Sequence, residues 1–325
     1  MRHPGRNYHP AREGSRRFGQ GAVFLCAVLW STSGLFIKLV DAHPMVISGA
    51  RSFFAALVLL AFRVLCPPYR GNVPEAPDGP AAGISGQTDG RARTQALRET
   101  RFFTLLGGLS YAATMILFVL ANKLTSSANA ILLQYSAPIW AALFGWAIAG
   151  ERPFREHWGA LALVLFGLFI FFREDLGGGN ILGDVIALVS GVCFGLNSAA
   201  MRMIRHGNPA DSMILAHVAT FVFCFPFFFF YAPRPDTGMT LSILFMGIIQ
   251  IGAASQLFSY GIKRITAVQA MLTAMIEPVL NPVWVLLVTG ERPSVSALIG
   301  GSIIIFSVAA SSLIGWRRDR SKRGG

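Results

Sequence analysis

The chain has 325 residues, 53% of them apolar and only 14% charged, with a formal net charge of +12 and a mean hydropathy of +0.54. Soluble domains carry about a quarter charged residues, so this composition excludes an ordinary soluble fold and reads as an integral membrane protein. A bilayer-crossing helix takes roughly 20 apolar residues, so ten of them would use about 200 positions and leave no room for a large extramembrane catalytic domain.

Apolar windows bounded by charges, Pro or Gly fall at about 20–40, 44–65, 102–122, 126–149, 157–172, 181–203, 211–231, 240–262, 266–289 and 295–315, which predicts an all-α protein of ten transmembrane helices. The first window, Gly21 to Val40, is longer than a signal-peptide core and runs into Lys38 and Asp41 with no small-residue cleavage pattern, so it is read as a retained span. Residues 1–19 and 316–325 are basic tails. Between the second and third windows, Pro67 to Thr100 carries five prolines, five glycines and both signs of charge without apolar periodicity. It is read as a disordered cytoplasmic loop, a thermodynamically mild insertion. Cys26, Cys66, Cys193 and Cys224 lie in or beside apolar windows without metal-ligand spacing and read as free thiols.

A basic balance is also the footprint of nucleic-acid binding, but the location of the charges argues otherwise. With the N-terminus inside, 21 of the 28 Lys and Arg fall in the tails and inner loops and five in outer loops, leaving Arg51 and Arg63 within spans. That asymmetry is the positive-inside pattern and predicts both termini in the cytoplasm. The partner it implies is the lipid bilayer of a cytoplasmic membrane, with no nucleic acid.

Gly150-Glu151-Arg152-Pro153 recurs 140 residues later as Gly290-Glu291-Arg292-Pro293. The same offset lays Ala137-Pro138 on Glu277-Pro278, Asn129-Ala130 on Gln269-Ala270, and Lys123 on Lys263. A charged four-residue motif with an aligned mid-span proline marks an internal repeat, dividing the chain into five-helix halves at 20–173 and 181–315. Because five is odd, the second half enters the membrane from the opposite side. Inverted repeats of this kind build secondary transporters, with a site near the bilayer midplane where the halves meet.

These residues resemble the EamA-type members of the drug/metabolite transporter superfamily. The likeness covers nearly all of 20–315 and rests on Trp30-Ser31-Thr32 in the first span, Arg51 early in the second, the Pro138 span ending in Gly150-Glu151-Arg152, and Ile276-Glu277-Pro278 leading to Gly290-Glu291-Arg292. It implies a ten-helix carrier of small metabolites, often outward, with a central cavity lined by both halves. The long second loop departs from that pattern.

Ionisable groups in hydrocarbon cost about 2.5 to 3.5 kcal/mol on insertion scales, so they normally face a cavity or a partner. Glu277 lies near the middle of the ninth span, and four-residue spacing puts Gln269, Thr273, Glu277 and Asn281 on one polar stripe. Glu277 suits either a substrate ammonium or a coupling proton; its alternative role is a structural pair. Pro138, Pro278 and Pro282 each remove a helix hydrogen bond, predicting hinges or static kinks at mid-membrane. Arg51 could clamp a substrate carboxylate or snorkel outward. His217, set against Arg51 by an approximate alignment of the second half at a different offset, is a titratable candidate or a packing residue. Of the remaining polar and aromatic positions, Trp30, Tyr111 and Gln256 are selected as ligand contacts.

No GxxxxGK[ST] loop and no HExxH pattern occurs, so neither ATP-driven pumping nor a metal or other cofactor is called for. The function expected is secondary export of a small amphipathic metabolite, such as an amino acid, by alternating access. A scaffold or sensor using the second loop, and a membrane-embedded enzyme, are the readings from other classes.

Overall fold

A computed structural model describes residues 13–32, 36, 40–65, 86–125, 127–151, 155–173, 180–204, 207–231, 236–290 and 294–321. In the first half, α1 is Glu13–Trp30, α2 Pro44–Leu65, α3 Gly86–Leu124, α4 Ser127–Gln134, α5 Ala137–Ala149 and α6 Arg155–Phe172. In the second, α7 is Ile181–Met203, α8 Pro209–Tyr231, α9 Thr237–Phe245, α10 Ala254–Ile262, α11 Ala267–Ala274, α12 Glu277–Thr289 and α13 Val295–Ser321. A π-helical segment, Met246–Ala253, joins α9 to α10. Among the described residues all regular structure is helical. Only helices satisfy their own backbone polar groups in hydrocarbon without closing a barrel.

Among the described residues, seven helices are long and apolar enough to cross a bilayer: Pro44–Leu65, Thr94–Ala121, Asn129–Ala149, Arg155–Phe172, Ile181–Met203, Pro209–Tyr231 and Thr237–Ile262. Ala267–Leu280 and Val295–Ser311 are shorter apolar helices, and of the first predicted span, 20–40, α1 covers the part up to Trp30. Large apolar side chains stand on the outer surface, Phe230 at 80% exposure and Phe229 at 74%. Such a surface suits contact with lipid.

Two expectations change. The loop predicted over 67–100 is helical from Gly86 onward, as the N-terminal extension of α3. Residues 91–100 are mostly Arg, Gln, Ala, Leu and Glu, good helix formers, and Gln95 donates to Glu99 one turn on, at 3.3 Å. The rest of that stretch, 67–85, lies outside the described residues. In the ninth span the continuous stripe Gln269–Thr273–Glu277–Asn281 is divided by a turn at Met275 and Ile276 between α11 and α12.

The packing partners recur when the halves are exchanged. α7 of the second half packs on α3, α4 and α5, while α1 of the first packs on α10, α11 and α12. α2 pairs with α8 and α6 with α13 across the halves. Small residues permit these approaches, as is usual where helices meet without a hydrophobic driving force. A Cβ on Gly195 of α7 would fall 2.7 Å from the Ala141 amide nitrogen and 2.8 Å from the Ala137 carbonyl oxygen of α5. One on Gly167 of α6 would fall 3.0 Å from the Gly300 carbonyl oxygen of α13.

The basic groups gather at one end of the bundle. Arg63 pairs with Asp211 at 2.8 Å, Arg202 with Glu151 at 2.6 Å, and the Lys263 ammonium donates to the Gly207 carbonyl at 2.6 Å. At the opposite end Thr125 donates to Asp184 at 2.6 Å and Arg173 to Ser296 at 2.9 Å.

Because the α5–α7 approach is backbone to backbone, Gly195→Val should destabilise the protein by about 1–3 kcal/mol, the usual cost of overpacking. A fall of several degrees in thermal unfolding of the detergent-solubilised protein would show it; an unchanged midpoint would refute the close crossing.

Candidate functional site

Proline at the second position of α5 (Pro138) and of α12 (Pro278) places a break in the fourth and ninth spans at the same repeat position, residues 135–136 and 275–276. At each break the chain tightens. Ser136 N–H bonds to Leu133 C=O at 3.1 Å, and Met275 N–H to Leu272 C=O at 3.2 Å. These shorter i→i−3 bonds recover part of what the prolines remove. Both second pieces, α5 and α12, end on a left-handed glycine, Gly150 with φ 68° and Gly290 with φ 76°. That conformation favours glycine and gives the first residue of the repeated Gly-Glu-Arg-Pro motif its structural role.

The breaks bring the two halves together through different side chains. Tyr135, at the first break, has its hydroxyl within hydrogen-bonding reach of the Glu277 carboxylate, which opens α12 at the second. The Arg51 guanidinium on α2 lies close enough to interact electrostatically with both Glu277 and Tyr111. Arg51 is 8% exposed, and its Nε has no hydrogen-bond partner among the described residues. A half-buried carboxylate and a buried guanidinium thus share the interior without a direct ion pair among the contacts described.

An aromatic wall adjoins them. The Trp30 ring packs 5.5 Å from Phe258 and 6.1 Å from Phe194; Tyr111 lies 6.0 Å from Phe194 and meets the His217 ring edge-on at 5.9 Å. His217 is fully buried, with Nε2 3.1 Å from the Ser255 hydroxyl and Nδ1 unpartnered among the described residues. Trp30 ends α1. Its carbonyl accepts from Gln250 Nε2 at 3.3 Å, and the hydroxyl of the next residue, Ser31, accepts from the Trp284 indole N–H at 2.7 Å. Gln250 sits in the π-helical segment, where Gly247 lets the chain approach α2 so closely that a Cβ there would lie 3.0 Å from the Arg51 carbonyl oxygen.

Of the residues selected from sequence, Glu277, Arg51, Trp30, Tyr111 and His217 therefore converge. Gln256 is half-buried on α10, and no described contact joins it to the group; Gln250 takes that place. Thr273 is buried, with its hydroxyl turned back to Gln269 C=O at 2.8 Å, and the Gln269 side chain caps the start of α11 at Thr266. Of Asn281 and Pro282 only the backbone, within α12, is described. Tyr135 stood out in the sequence only as one polar residue among many. Its signal was its position, two residues before the aligned Ala137-Pro138.

Two halves with broken central helices around a buried polar group define a polytopic membrane transporter. The chain belongs to the EamA-like transporter family, whose model matches residues 17–173 and again 181–313. It is similar to an uncharacterized transporter of Archaeoglobus fulgidus, 27% identical over 303 residues, which are 93% of this chain and 97% of that protein. Human solute carrier family 35 member G1 is 27% identical over 185 residues, covering 52% of this chain and 44% of its own. A crystal structure with 19% identity superposes with a TM-score of 0.73 over 92% of this chain and 98% of its own, a likeness of fold.

Replacing Gln250 by Leu removes its hydrogen bond to the Trp30 carbonyl and should cost about 0.5–1.5 kcal/mol, the net worth of one hydrogen bond. Thermal unfolding in detergent measures it, and an unshifted transition would show that the bond carries no weight.

Proposed function

We propose that this transporter is a secondary exporter of small amphipathic metabolites, amino acids among them, working by alternating access between its halves. The observation that carries the reading is the meeting of Glu277 and Tyr135 at two proline-induced breaks 140 residues apart, with Arg51 in electrostatic range. A zwitterion needs one anion for its ammonium and one cation for its carboxylate, and an aromatic surface for its apolar part. Glu277, Arg51 and the Trp30–Tyr111 wall supply these. Arg51 binds a carboxylate through two hydrogen bonds where a lysine would offer a point charge. The prolines give each central helix a flexible point beside the site, so that rocking of the halves changes access without unfolding either helix. The broken spans line an interior, the setting in which interrupted helices are tolerated in a membrane.

Both termini are assigned to the cytoplasm by the 21-to-5 distribution of Lys and Arg. Glu277 is also the group suited to carry a coupling proton, because in transport cycles an intramembrane carboxylate commonly alternates between proton and substrate.

In proteoliposomes loaded with a mixture of amino acids, Glu277→Gln should lower efflux by at least about tenfold and flatten its dependence on pH, the usual loss when a transport carboxylate is neutralised. Unchanged rate and pH profile would sink the assignment. Arg51→Lys should weaken apparent affinity about tenfold while leaving maximal rate closer to normal, as expected when a bidentate contact becomes a single one. Removal of residues 67–85 separates a carrier from a scaffold: intact efflux is expected of the carrier.

A further inference from the structure

The repeated Gly-Glu-Arg-Pro motif has a second part to play, through Glu151. Its carboxylate accepts from Arg202 Nε at 2.6 Å with one oxygen and from the Ala267 backbone N–H at 3.2 Å with the other. The same guanidinium donates through Nη1 to the carbonyls of Lys263, at 2.6 Å, and Ile262, at 3.3 Å. Four pieces of chain are thereby tied at one point: the end of α5, the end of α7, the end of α10 and the start of α11. Glu151 belongs to the first half and every partner to the second. Both side chains are sequestered, at 7% and 12% exposure, whereas the Arg63–Asp211 pair at the same end stands at 37% and 35% and is a weak surface contact by comparison.

One turn deeper than Arg202 on the same face of α7 is Ser198, and beside it Asn197, whose side chain points toward α3 at Gly107. Both are fully buried. The Ser198 hydroxyl and both polar atoms of the Asn197 amide lack a hydrogen-bond partner among the described residues. A static core would not retain three such atoms, because each unpaired polar group in an apolar interior costs free energy. Polar groups that meet a solute only during part of a cycle have this character. His217, which meets the Tyr111 ring edge-on, likewise has a buried Nδ1 without a partner among the described residues.

We infer that the Glu151–Arg202 pair latches the gate at the basic, cytoplasmic end, and that Ser198 and Asn197 line the path it closes. The conformation described here is closed at that end. Opening it requires the halves to part, and parting them breaks the one buried ion pair described between them. The carbonyls of Ile262 and Lys263 hold the guanidinium in register, so Lys at 202 would keep the charge and lose the fork. This inference rests on the alternating-access reading above, but its test follows access alone and uses no substrate, so either can fail without the other.

The reporter is Ser198→Cys, in protein whose four native cysteines are replaced by serine, with labelling by a membrane-impermeant maleimide in right-side-out and inverted vesicles. Slow labelling from either face is expected with the latch intact. Glu151→Gln and Arg202→Gln should each speed labelling from the cytoplasmic face by about tenfold, with little change from the other face, because each shifts the population toward the open gate. Arg202→Lys should fall between. Rates unchanged by all three substitutions, or raised equally from both faces, would overturn the latch. Should the neutral variants not be recovered as monodisperse protein, the one-sided acceleration in Arg202→Lys decides the matter by the same criterion.

Discussion

Every backbone amide and carbonyl inside a bilayer must find a partner within the protein, and the structure of this transporter is organised by the two places where that rule is strained. Pro138 and Pro278 cannot donate, and the fourth and ninth spans each divide there into two helical pieces. Each tightens into a short turn and restarts. Side chains that would lie along a continuous helix face are instead divided between two segments, and those at the turns face one another across the interior. The candidate site exists because of these breaks.

Equivalence of position with inequality of chemistry is the second theme. The repeat makes the two breaks geometric counterparts, yet one carries Tyr135 and Ala137 where the other carries Met275 and Glu277. An interior with two carboxylates at this depth would have to keep both from ionising together; an interior with none would lack an anion for a cationic group. The single pairing of phenol and carboxylate gives one ionisable acid, held by a neutral donor, with Arg51 nearby but not bonded to it among the contacts described. The proposed cycle needs that separation, since a direct Glu–Arg pair would leave neither charge for a solute.

Glycine accounts for how closely the surrounding helices can stand. Gly195 admits α5, Gly167 and Gly300 admit one another, and Gly247 brings the π-helical segment to the backbone of α2. The π segment widens the helix at that point, so that Gln250 reaches the exposed carbonyl at the end of α1. Trp30 is held in the aromatic wall by this contact as much as by its own packing. The same economy recurs at the basic end, where Glu151 follows a left-handed glycine and is thereby presented to Arg202.

Most of the architecture was legible along the chain because its causes are local or periodic. Span length follows from bilayer thickness, and the repeat from an exact match of charged residues and prolines. The extension of α3 into 86–100 is hidden in the sequence because the Pro and Gly further upstream adjoin its run of helix formers. The ninth span was read as one polar stripe because four-residue spacing assumes unbroken helix, an assumption that Pro278 defeats. Glu277, Arg51, Trp30, Tyr111 and His217 were visible as costly or unusual residues at membrane depth. That Tyr135 faces Glu277, that Gln250 bonds the Trp30 carbonyl, and that Glu151 binds Arg202 depend on contacts between residues 51 to 220 positions apart, over which no periodicity runs. The sequence by itself determined which groups must be removed from lipid and which prolines deprive a helix of a donor, since those costs belong to single residues and their neighbours. Only the tertiary structure decided which of those groups meet, because that choice lies in how two halves with the same plan and different side chains close on each other.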